Sequence, residues 1–196
     1  MPADFGAVHL PAILVASDGR HPVTPPPNLD AGVIVRDTDL ATLVHLAGNN
    51  HRPDAVDIDS VAGLGADDQA VDFVTSRLGI RTVLTRRPQL AARAAEGGHL
   101  GLVHVFAYDS TGMARSLDGH PRTPNVGSVV SPGLVIVHLR PEEVEALPQP
   151  VVAYGFIDTV EDALACGRLA SAIVVRPGLA ARLSAAAEEA GARQPG

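Results

Sequence analysis

Short apolar runs alternate with stretches of helical periodicity along almost the whole chain, and Gly, Pro, Asp and Ser residues separate them. The runs predict strands over 11–16, 32–36, 55–59, 82–85, 100–107, 126–130, 151–154 and 171–175. The intervening periodicity predicts helices over 39–47, 67–78, 88–96, 141–146, 159–168 and 177–190. Thr38 reads as the N-cap of the first helix, and Thr159 with Asp162 three residues on approaches a capping box. Strands alternating with helices imply a parallel sheet covered by helices, and eight strands in that order predict a small (β/α)8 barrel of the TIM type with short loops. The segment 18–30 breaks the pattern. Its His-Pro-Val-Thr-Pro-Pro-Pro run cannot hold a helix, because proline lacks the amide proton and its ring collides with the preceding turn. The first crossover is therefore expected to be an irregular loop.

The last crossover is the most informative. An apolar strand runs into Tyr154-Gly155, a helix starts near Thr159, and a further buried strand follows at 171–175. In such barrels a phosphate commonly sits where the final two strand-to-helix loops meet a helix N-terminus.

Composition narrows the chemistry. The chain has 196 residues, fewer than the ~250 usual for this barrel, so a single barrel domain over 1–196 with brief loops is expected and the tail 191–196 should fray. All 15 basic residues are arginines. With no lysine, neither a Schiff base nor the phosphate-binding lysine of a P-loop is available. The net charge of -7 disfavours a strong nonspecific grip on nucleic acid, although a local arginine patch could still supply one. Cys166 is the only cysteine, which excludes an internal disulfide; its place in a helix suggests a core residue. No apolar run approaches a membrane span and no signal peptide is recognisable, so a cytoplasmic protein is expected.

Candidate chemistry falls at the strand ends. Asp57 and Asp59 share a parity on the third strand, so both should face the interior or the mouth, where a metal, an arginine or a ligand hydroxyl could pair with them. Arg86 and Arg87 follow the fourth strand, and an arginine fork suits a phosphate. His104 and Phe106 share a parity on the fifth, and Asp109 is expected to cap the next helix. Ser131-Pro132-Gly133 and Tyr154-Gly155-Phe156 close the sixth and seventh strands in turns expected to expose backbone amides as an anion-binding rim. The histidines at 9, 21, 45, 51, 99, 120 and 138 show no metal-ligand spacing, and no aromatic platform for single-stranded RNA is evident.

Leu10-Pro-Ala-Ile13, Gly32-Val-Ile34, 56–63, Thr85-Arg86, Phe106 with Asp109-Ser110 and Met113, Pro132-Gly133, and Gly155-Phe-Ile157 with Thr159 and Glu161-Asp162 form an ordered set. In that order, from about residue 10 to 182, the chain resembles the glycerol-3-phosphate responsive antiterminator family. The resemblance implies a barrel without known catalysis that binds glycerol 3-phosphate at its mouth and then acts on the leader of a glycerol-utilisation messenger RNA to prevent termination. It points to Asp59, Arg86, Asp109, Pro132, Gly133, Gly155 and Phe156 as the ligand rim. Departures cluster in the last crossover. Tyr154 stands where the family pattern has a glycine, Asp158 where it has a basic residue, and Val175 with Arg176 where it has small hydroxyl residues. Leu14 replaces an arginine, and Asp57 and Ala62 replace histidines flanking the third-strand aspartate. Arg176 is expected to compensate at the rim for the acid at Asp158.

The expected function is thus that of a noncatalytic regulatory barrel sensing a small phosphorylated polyol, with no cofactor, no catalytic residue and no metal. Its partners would be glycerol 3-phosphate or a similar phosphate ester and a messenger RNA leader, without a membrane, and a homo-oligomer is compatible with the chain. The alternative is a barrel enzyme acting on a small phosphosugar with Asp57 or Asp59 as base or metal ligand. A third reading is a barrel kept for protein contact, its mouth filled by Tyr154.

Overall fold

A computed structural model of the chain describes residues 4–5, 8–21, 23–48 and 52–192. The expectations for His51 and for tail residues 193–196 lie outside that range. Eight parallel strands, β1 (Ile13–Ser17), β2 (Ala31–Val35), β3 (Ala55–Asp57), β4 (Thr82–Thr85), β5 (Leu100–Phe106), β6 (Val126–Ser131), β7 (Val151–Tyr154) and β8 (Ala172–Val175), close into a barrel. Each pairs with its neighbours in sequence, and β8 pairs with β1. Around it lie α1 (Leu40–Gly48), α2 (Asp68–Asp72), α3 (Pro88–Glu96), α4 (Ser110–Leu117), α5 (Pro141–Glu145), α6 (Val160–Gly167) and α7 (Pro177–Ala192). The predicted (β/α)8 barrel is the observed fold.

Strand alternation sorts the apolar residues into two cores. Leu14, Ile34, Ala55, Leu84, Leu100, Leu102, Val129, Val152, Ala172 and Val174 face one another inside the barrel, where Val8 and Leu10 join them. Their sequence neighbours Val15, Val56, Val83, Val130, Ala153, Ile173 and Val175 face outward under the helices. Helix α3 approaches β5 so closely that a Cβ on Gly101 would lie 2.1 Å from the Ala91 carbonyl oxygen. Only glycine fits there.

Four local expectations change. The third strand stops at Asp57, and Ile58–Ser60 tightens into a 3-10 turn, so Asp57 and Asp59 no longer share a strand face. Thr38 does not cap α1: it pairs with Val61 in a two-residue strand, and Asp39 accepts the Thr42 amide at 2.9 Å instead. The 67–78 helix runs as α2 and then loosens into a π turn at Phe73–Arg77. Ser171 precedes β8 rather than opening it, and its hydroxyl oxygen accepts the Val151 amide at the start of β7, at 3.3 Å. The capping box at Thr159 and Asp162 forms as expected, and Asp109 caps α4 by accepting the Gly112 amide at 2.6 Å.

Among the described residues of the first crossover there is no helix. That loop is tied to α7 through Asn28, which donates to the Ser184 carbonyl and accepts from the Ser184 hydroxyl. It borders a groove of about 830 Å³ against α1, lined by Val23, Val33, Val35, Ala41 and Leu46.

Candidate functional site

At the C-terminal ends of the strands the lumen changes character. Continuing each inward-facing row by two residues leads from Ile34 to Arg36, from Ala55 to Asp57, from Leu102 to His104 and from Val152 to Tyr154. These four side chains make one connected layer. Asp57 Oδ2 stands 3.8 Å from His104 Nε2, the His104 and Tyr154 rings are 6.0 Å apart, and the Arg36 guanidinium lies 5.0 Å above the Tyr154 ring as a cation–π pair. Phe106 stacks on His104 from the rim, also at 6.0 Å. Tyr154 is partly buried against the apolar lumen.

Burial sets the protonation of this layer. It pushes the Asp57 carboxyl up to about 6, an effect the nearby Asp59 carboxylate adds to and Arg36 opposes. It pushes His104 down to about 4, with Asp59 opposing and Arg86 and Arg36 assisting. At neutral pH the imidazole is therefore uncharged and Asp57 is mainly ionised. Six buried polar side-chain atoms among the described residues lack a hydrogen-bond partner, and five of them are at the mouth: Arg36 Nε, Asp57 Oδ1, Asp59 Oδ1, His104 Nδ1 and Tyr154 OH. Arg36 Nε lies 2.8 Å from Asp37 Oδ2, an ion pair without an aligned hydrogen bond. A buried polar atom with no partner at all costs roughly 1–3 kcal/mol; these five have none within the protein, which leaves the layer able to take hydrogen bonds from a bound molecule.

The expected rim residues separate into groups. Asp59 turns towards the next loop: its Oδ2 accepts the Thr85 hydroxyl at 3.0 Å and the Arg86 amide at 2.5 Å, with Arg86 Nε 3.5 Å away. Arg86 itself is 60 % exposed at the rim. Arg87 instead donates to the Ala66 carbonyl at 2.7 Å and starts α3. Asp109 is engaged as a helix cap.

Gly133 does not offer its amide to the mouth, contrary to expectation. That amide donates to the Gly155 carbonyl at 3.0 Å, and a Cβ there would lie 2.3 Å from the Tyr154 nitrogen. Pro132 and Gly133 thus let the sixth loop pack directly on the seventh. Gly155 and Phe156 both have left-handed backbones, with φ of 89° and 59°, and Phe156 projects outward, 67 % exposed. Arg176 donates to Asp158 at 2.5 Å, and Arg182 donates to the Asp158 carbonyl at 2.7 Å. The acid that departs from the resemblance is neutralised by the arginine that departs with it.

Two features escaped sequence reasoning. Arg36 is placed in the layer by parity alone, two residues above Ile34, a signal the strand pattern does contain; Tyr154, expected in one reading to fill the mouth, reaches it in the same way above Val152. Exposed aromatics also gather at the rim: Phe106, Tyr108 and Phe156 are 36 %, 69 % and 67 % exposed. Phe106 and Tyr108 share the end of β5 and the loop after it, whereas Phe156 lies on the loop after β7, so no pattern along the chain joins the three. Asp57 and Asp59 find no further ligand of the kind a metal needs: among the described residues no three His, Cys, Asp or Glu side chains are grouped to hold one. No helix among them is long and apolar enough to cross a membrane.

The family model of the glycerol-3-phosphate responsive antiterminators matches residues 33–175. No curated protein matches the chain significantly in sequence. Two solved structures are similar in fold. One is a glycerol uptake operon antiterminator-related protein from Thermotoga maritima MSB8, with a TM-score of 0.68, 22 % identity, and coverage of 87 % of this chain and 98 % of that one. The other is a glycerol uptake operon antiterminator regulatory protein from Listeria monocytogenes str. 4b F2365, with a TM-score of 0.68, 19 % identity, and coverage of 89 % and 95 %.

Proposed function

Because the chain belongs to the glycerol-3-phosphate responsive antiterminator family, a family of regulators rather than enzymes, we propose that it senses a small phosphorylated polyol and controls glycerol-utilisation transcripts by antitermination. The observation that carries this reading is the extent of the match: residues 33–175 run from β2 through β8 and include every strand-to-helix loop from the second to the seventh. The ligand, glycerol 3-phosphate or a close relative, enters at the C-terminal mouth. Its phosphate lies at the rim, with Arg86 beside Asp59 after β4 and Arg176 on the loop beside α7; Asp59 orients Arg86, and Gly155 with Phe156 borders the same opening. Asp109, Pro132 and Gly133 support the rim by shaping its loops. An arginine fork provides two donors to a phosphate without any change of protonation.

The RNA leader is bound by the ligand-loaded form, in the cytoplasm, through the exposed rim. Aromatics and arginines together suit unstacked bases, since every base has a π-face and each phosphate a charge. Calorimetry with glycerol 3-phosphate tests the ligand. Saturable heat that falls at least tenfold in affinity in Arg86→Ala is expected; no heat in the parent protein would sink the assignment. Readthrough of a leader terminator in a purified transcription reaction, dependent on both protein and ligand, tests the RNA step.

A further inference from the structure

Beneath the rim, the lumen holds groups that a phosphate would not satisfy. The Asp57 carboxylate repels an anion, and burying an apolar ligand there would leave Asp57 Oδ1, His104 Nδ1 and Tyr154 OH without partners. His104 is 8 % exposed, so its unpartnered nitrogen has no easy recourse to bulk water. Hydroxyl groups suit each of the three in kind, because a hydroxyl donates to a carboxylate and accepts from an N–H or O–H. Neutral imidazole and tyrosine can each supply or receive a proton in a hydrogen bond, so adjacent hydroxyls of a polyol can be read in one cooperative chain.

We propose that Asp57, His104 and Tyr154 form a hydroxyl-recognition subsite in the barrel lumen that selects a polyol end with at least two hydroxyls, Arg36 acting as a positioning residue through the Tyr154 ring. The assignment rests on the phosphorylated-polyol reading above and adds to it the part of the ligand that enters first. The order of groups along the barrel axis sets the orientation. The acid and imidazole lie two residues above the apolar floor, whereas Arg86 and Arg176 lie at the rim, so the hydroxyls point inward and the phosphate outward.

The experiment compares glycerol 3-phosphate with propyl phosphate, which has the same chain and charge but no hydroxyls, while the His104 ring signals are followed by NMR. The parent protein should bind glycerol 3-phosphate roughly a hundredfold more tightly, since a site built to pair a hydroxyl rejects the analogue lacking it. Asp57→Asn and Tyr154→Phe should each remove most of that preference, by roughly tenfold or more, with little change for propyl phosphate. Arg86→Ala should weaken both esters equally. Equal affinity of the two esters in the parent protein overturns the subsite while leaving the phosphate reading intact. If neither ester binds, the phosphate reading fails, and glycerol alone at millimolar concentration decides the subsite: a saturable shift of the His104 signals supports it and no shift overturns it. Should Asp57→Asn fail to fold, Tyr154→Phe, which removes a single oxygen, and the parent comparison still decide between the outcomes.

Discussion

The floor and the mouth of this barrel are built on the same strands and the same inward-facing rows, two residues apart, yet they are opposite in kind. Ile34, Ala55, Leu102 and Val152 are buried against one another with relative exposures of 0–1 %. Arg36, Asp57, His104 and Tyr154 above them are partly or largely buried and hold five polar atoms, counting Asp59, without hydrogen-bond partners. The floor is consistent with burial at every position. The mouth departs from the rule that buried polar groups are paired within the protein, the kind of departure that the proposed ligand site would account for.

Truncating the floor should therefore cost more than truncating the mouth. Leu102→Ala removes a fully buried side chain from the lumen and should lower unfolding stability by about 2–5 kcal/mol in urea melts. A loss below about 1 kcal/mol would mean that the lumen collapses freely and the contrast is false.

Proton linkage gives the next effect, about 3 kcal/mol. Asp57 has a folded value of about 6 against 3.8 unfolded, and His104 about 4 against 6.5. Between pH 4 and 6 the unfolded chain holds one proton, on His104, and the folded chain also holds one, on Asp57. The two slopes cancel and this pair leaves stability nearly flat with pH. Single variants unmask them. In Asp57→Asn the remaining histidine has a depressed folded value, so stability is present above 6.5 and should fall by about 3 kcal/mol as pH drops to 4. In His104→Gln the remaining acid has a raised folded value, so stability is full below 3.8 and should fall by about 3 kcal/mol as pH rises to 6. Chemical denaturation across pH 4–7 checks both, and slopes of the same sign would break the pairing.

Smaller effects belong to the rim. Asp109→Ala should cost about 1 kcal/mol through the lost α4 cap, read from the denaturation midpoint. Tyr154→Phe should leave stability unchanged or raise it by up to about 1 kcal/mol, because the hydroxyl it removes has no partner, while weakening polyol binding. Asp158→Ala breaks an exposed ion pair with Arg176 and should change stability by less than about 0.5 kcal/mol.

Much of this was legible in the sequence. The eight strands could be read because a strand buried on both faces gives a dense apolar run, and Val151–Tyr154 and Pro88–Glu96 have the predicted bounds. Asp59, Arg86 and Gly155 could be placed at the mouth because barrel loops follow strand ends. The 3-10 turn at Ile58–Ser60 could not, and it is what turns Asp59 towards Thr85 while Asp57 stays facing His104. Gly133 likewise read as an open amide, whereas the seventh loop lies against it and takes its hydrogen bond.

The sequence by itself determined the barrel, its irregular first crossover and its family, since local periodicity, proline chemistry and ordered motifs are properties of the chain. Tertiary structure alone decided which polar groups meet. Arg36, Asp57, His104 and Tyr154 come from four strands separated by tens of residues, and only closure of the sheet brings them into one layer. Whether a buried acid or imidazole has a partner depends on atoms across the lumen, and no pattern along the chain encodes that distance.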